Sequence, residues 1–162
     1  MPPDPEDLLR QADSLVGSIA PTQADLRRAI SAAYYAVFHA CLTASADMVC
    51  GTTSRSTAAY SLVYRSTDHA RLRNLCDQLR KANPQGVAII PAGGFGMIAD
   101  FAGVTVNLFE QRIRADYDPS VDFTANEAKL AISEARQAIA WFRSCGEEQQ
   151  KSFLTMLLFR QR

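Results

Sequence analysis

Between Asp25 and Met48 the apolar residues Ile30, Ala33, Tyr34, Val37, Phe38, Cys41 and Leu42 recur at three- and four-residue steps, with no Gly or Pro among them. That period belongs to a long helix with a buried face. Tyr35 and His39, four residues apart, run beside the stripe as neighbours on one flank, and Arg27 and Arg28 stand a few turns earlier. One helix is therefore expected to supply both core and polar groups.

The remaining pattern is also helical. Asp4 before Pro5, Glu6 and Asp7 reads as an N-cap, a proline at the first helical position and an acidic first turn. The helix they open buries Leu8, Leu9, Ala12, Leu15 and Val16 and stops at Gly17; Thr22 then caps the long helix. Gly51 and a Ser/Thr cluster make Val49 to Thr57 a loop. From Ser56 to Lys81 the helical period returns through Ala59, Leu62, Val63, Leu72, Leu75, Cys76 and Leu79, but it lapses between Tyr64 and Arg71. The lapse admits a solvated stretch of one helix or a break between two. Asn83 to Gly96 is the main irregular segment. Its Gly93-Gly94-Phe95-Gly96 lacks the Lys-Ser/Thr and the βαβ setting of a phosphate loop, so a connector is expected.

Met97 to Ala115 is predicted helical through Ile98, Phe101, Val104, Val106, Leu108, Phe109 and Ile113, with Arg112 and Arg114 near its end and Asp118-Pro119 as its stop. Thr124 and Glu127 form a capping box for a helix that buries Leu130, Ala131, Ala135, Ala138, Ile139 and Phe142. After Gly146, a last helix from Glu147 to about Arg160 concentrates Phe153, Leu154, Met156, Leu157, Leu158 and Phe159, for docking across the bundle or for a dimer contact. The expected fold is all-α: a single up-and-down bundle of five or six helices over residues 1–162, with 147–162 its C-terminal helix.

Composition narrows this picture modestly. Lys+Arg 17 against Asp+Glu 17 gives no net charge, so a nucleic-acid surface would need its cations gathered on one face. Cys41, Cys50, Cys76 and Cys145 are scattered without C-x-x-C, which points to reduced thiols, no metal site and a cytoplasmic setting. The opening MPPDPEDLLR is acidic and Pro-rich, unlike a signal peptide, and no uninterrupted apolar run reaches the length of a membrane span. No cofactor motif is present, so none is expected.

Two histidines narrow the search for a general base. His39 is read as a helix-flank residue bonded to Tyr35 or a backbone carbonyl, or else as catalytic. His69 follows Arg65 by four residues, which on a continuous helix would place both on one face. An Arg that holds phosphate charge and a His that moves protons make a minimal metal-independent site for RNA cleavage. The pair reads equally as surface polar residues.

AISAAYYAVFHA, followed by RIRADYDP and FTANEAKLAISEARQAIAWF, resembles the HEPN superfamily of small α-helical domains over about Leu26 to Phe142. The resemblance implies a homodimer, and either a metal-independent endoribonuclease, often a toxin paired with a nucleotidyltransferase-like antitoxin, or a non-catalytic domain that binds RNA, a nucleotide or a partner. It points to His69 as proton-transfer group and Arg65 as phosphate anchor, with Tyr64 and Asp68 in support. Tyr35, His39 and Arg114 follow as supporting or RNA-binding candidates. The Arg-to-His spacing here is shorter than in the catalytic families.

Overall fold

The computed structural model describes residues 2–81, 84 and 86–159. Among these there are seven α-helices, one 3-10 turn and no strand: α1 (Pro5–Val16), α2 (Gln23–Cys50), the turn Thr52–Ser54, α3 (Ala58–Tyr64), α4 (His69–Leu79), α5 (Met97–Tyr117), α6 (Ala125–Ser144) and α7 (Glu147–Leu158). Asn83 and Arg160, which bound two of the expected segments, lie outside the described residues.

Local signals set the boundaries. The Asp4 side chain accepts from Glu6 N at 2.9 Å. Thr22 and Asp25 form a reciprocal capping box at the start of α2, as Thr124 and Glu127 do for α6, each satisfying N–H groups that a first turn leaves open. α2 is the axis of the bundle. α1, α3, α5 and α6 all pack on it, while α4 lies on α5 and touches α7. Ala29, Ala33, Ala36, Val37 and Cys41 of α2 are completely buried, and the small residues let neighbouring helices approach closely. By length and composition α2 matches a membrane span, yet 78% of that window is buried inside the bundle.

The helix count exceeds the expected five or six because the Ser56–Lys81 region is two helices. Asp68 adopts an extended conformation and accepts from Arg71 N at 2.8 Å, so it caps a new helix whose first residue is His69. Thr67, within the break, is itself buried.

α7 docks within the chain. Phe153 packs edge-on against Phe101 and Phe142 at ring separations of 5.5 and 5.9 Å, and Leu154, Met156 and Leu157 are buried with it. Arg71 of α4 donates to the carbonyls of Leu157 and Met156, satisfying acceptors at the C-terminal end of α7. The glycine segment is the connector the sequence suggests. Gly93 and Gly94 take φ values of +80° and +79°, which favour glycine, and buried Phe95 anchors them while Gln149 donates to Gly94 O at 3.1 Å.

Candidate functional site

α2 carries Arg28, Ser31, Tyr35 and His39 at steps of three and four residues, so they line one side of the helix. With Pro3, Leu8 and Gln11 they border an open groove of about 220 Å³. Arg28 is exposed and makes no hydrogen bond or ion pair among the described residues.

Three other helices bring side chains to the same stripe. α4 begins at the break with His69, whose ring lies 4.0 Å from that of Phe38 and 5.5 Å from both Tyr34 and Tyr35. Its Nδ1 is 3.0 Å from the hydroxyl of Tyr34. α3 ends with Tyr64, whose hydroxyl is 2.6 Å from His39 Nδ1 and whose ring stacks on the imidazole. From α5, Arg112 donates to the Tyr35 hydroxyl at 2.8 Å and lies over both the Tyr35 and Tyr117 rings. Its Nε is 2.8 Å from Asp116 Oδ2, an ion-pair contact without hydrogen-bond alignment. Ser31 donates to the other oxygen of Asp116.

The electrostatics favour neutral imidazoles. Burial, then the nearby His69, lowers the pKa of His39. Burial and the Arg112 cation lower that of His69, against a smaller opposing pull from Asp68. The tyrosines move the other way: burial pushes Tyr64 up to about 12 and Tyr34 higher still, so both phenols keep their protons. The cluster therefore offers two neutral imidazoles beside a fixed guanidinium at neutral pH.

The sequence candidates separate into those inside this cluster and those outside it. Tyr35, His39, Tyr64 and His69 come together. Arg65 and His69 do not share a helix face, because Arg65 is the exposed C-cap of α3, with its Nε donating to Ser61 O at 3.3 Å, and a new helix starts at His69. The cation that acts on His69 is Arg112. Asp68 is the α4 cap, and His39 bonds Tyr64 where Tyr35 or a backbone carbonyl was expected. Arg114 lies elsewhere, exposed over the Phe123 ring at 5.8 Å, a ring that Arg27 also approaches at 5.7 Å.

Arg112, Tyr34 and Ser31 were missed as site residues. Helical phase carries a signal for Arg112: it is four residues from buried Leu108 and three from Ala115, so it points inward, whereas Arg114 is turned about 200° away. A cation on an apolar face asks for buried partners. Compared with protein-family models, curated proteins and solved structures, the chain finds no match.

Proposed function

We propose that this chain is a HEPN-like protein that acts on RNA as a metal-independent endoribonuclease, with the α2 groove as its substrate face. The observation that carries the reading is the convergence of both histidines, from α2 and α4, beside the α5 cation Arg112. The chemistry that suits such a set is transesterification. An RNA 2′-hydroxyl gives its proton to an imidazole as its oxygen bonds to phosphorus, and the P–O5′ bond breaks. The 5′-oxygen takes that proton back from the imidazolium, leaving a 2′,3′-cyclic phosphate and a 5′-hydroxyl. Arg28 binds the phosphate from solvent, while Arg112 supports the charge from behind through Tyr35.

A homodimer and a nucleotidyltransferase-like antitoxin are the partners that accompany this proposal, in a toxin–antitoxin or defence setting. Phe153, Leu154, Met156 and Leu157 of the C-terminal segment are buried within the chain, while Phe159 is 62% exposed and stays open to a second copy. A second reading, a non-catalytic nucleotide-, RNA- or partner-binding adaptor, draws support from Arg112, which is only 9% exposed and already engaged by Tyr35 and Asp116.

Incubation of a mixed RNA pool with the purified protein in chelator tests the two. Cyclic phosphate ends that disappear with His39→Ala and persist with Arg65→Ala support the nuclease. RNA bound but left intact by a folded protein supports the adaptor.

A further inference from the structure

The two imidazoles make the same kind of contact, a tyrosine hydroxyl at Nδ1, in different surroundings. Tyr64 is half-buried and borders an open groove with Pro2, Pro3, Arg55 and Arg65, so its hydroxyl has more than one direction in which to point. Tyr34 is completely buried. The rings of Tyr35, Phe38, His69 and Phe109 surround it at 5.5 to 6.1 Å, and its hydroxyl has one hydrogen-bond partner among the described residues, His69 Nδ1.

That difference decides a proton position. A hydrogen bond between a phenol and a ring nitrogen runs in either direction. Were Nδ1 of His69 to donate, the Tyr34 O–H proton would be left inside an aromatic cage with nothing to accept it, which carries the desolvation cost of an unpaired buried donor. With Tyr34 donating, both groups are satisfied and the imidazole proton must sit on Nε2, the nitrogen with no partner among the described residues. Protonation of His69 would restore the orphaned hydroxyl, so the same contact opposes it.

We propose that Tyr34 is a positioning residue that locks His69 as a neutral ring with its proton on Nε2, so that His69 serves as a hydrogen-bond donor and His39 is the imidazole that moves protons. The division of labour rests on the nuclease reading above; the tautomer lock does not. His39 suits the part assigned to it. It borders the groove beside Arg28 and Ser31, and its Tyr64 contact leaves either ring nitrogen free to carry the lone pair. His69, by contrast, would have to strand Tyr34 to accept a proton.

The test is a long-range imidazole ¹H–¹⁵N spectrum of the whole chain at pH 8, read beside cleavage of an RNA pool. The expected spectrum shows His69 with its proton on Nε2 in roughly tenfold excess or more, and Nδ1 shifted as a hydrogen-bond acceptor. In Tyr34→Phe, which keeps the ring, the excess falls towards a mixture of tautomers. A proton on Nδ1 in the unaltered protein overturns the lock, as does a Tyr34→Phe spectrum identical to it. Cleavage then reads the roles. His69→Gln, whose amide N–H stands where Nε2–H was, lowers the rate about tenfold or less, whereas His39→Gln lowers it at least about a hundredfold; the reverse order overturns the assignment. An Nε2–H His69 in a protein that cuts no RNA upholds the lock and removes the nuclease reading.

Discussion

Arg27 and Arg28 are adjacent in sequence and opposite in fate. Arg27 is part-buried and reaches the C-terminal end of α5, where it donates to the carbonyls of Ala115 at 2.9 Å and Asp118 at 3.0 Å, and to that of Val121 beyond the helix. Those are acceptors that a helix end leaves open, held by a cation at the negative end of the helix dipole. Arg28, turned by about 100° around α2, is exposed on the groove. Identical chemistry thus becomes a structural clamp or a ligand-facing charge according to which neighbour its helical phase meets. The basic residues of a neutral chain cannot be weighed by count.

Substitutions sharpen that contrast. The largest effect expected is on the groove side: His39→Ala lowers RNA cleavage by about 10²- to 10⁴-fold, measured as cyclic phosphate ends at equal protein concentration, while helicity is retained. Next comes the clamp. Arg27→Met leaves the carbonyls of Ala115, Asp118 and Val121 without their donor and lowers unfolding stability by about 2–3 kcal/mol in a urea titration. Arg28→Ala should do the converse, weakening RNA binding by about tenfold with stability changed by about 0.5 kcal/mol or less. Equal destabilisation by the two arginine variants would break the comparison outright.

The smallest effect is on pH. Both histidines have folded pKa values below their ordinary one, so the unfolded chain binds protons more readily than the folded chain. Stability is therefore fully present above about pH 6.5 and falls as pH drops through that value, levelling off below the folded pKa values. The groups that face them are Tyr35 and Arg112 for His69, with Tyr34 and Asp68, and Tyr35, Tyr64 and His69 itself for His39. Urea midpoints that rise on acidification from pH 7 to pH 5.5, after correction with a His39→Asn/His69→Asn double variant, would contradict this sign.

Most of the fold was legible in periodicity and caps. Thr22, Thr124 and Glu127 act through bonds within a single turn, and such signals survive any tertiary arrangement. The α3–α4 break was half legible: the apolar stripe visibly lapsed, but Asp68 reads as one more polar residue until its side chain is seen to cap α4. That same break is why four-residue spacing misled for Arg65 and His69, since the i,i+4 rule holds only along one uninterrupted helix. The site was less legible than the fold because its contacts span long separations. Tyr35 meets Arg112 and Ser31 meets Asp116 across helices that are remote in sequence, where no local pattern records the pairing.

The Arg65–Asp68 break also sets the site's timescale. Backbone amides of α2, in contact with α1, α3, α5, α6 and α7, are the expected slow class in hydrogen exchange, so Arg28, Tyr35 and His39 are expected to be displaced only when the whole molecule opens. Tyr64 and His69 sit at the two lips of the break, one closing α3 and the other opening α4. A local fluctuation there separates both tyrosine–imidazole bonds at once while the central helix stays closed. Tyr64 and the His69 ring can therefore part from their α2 partners faster than the scaffold that carries the groove opens.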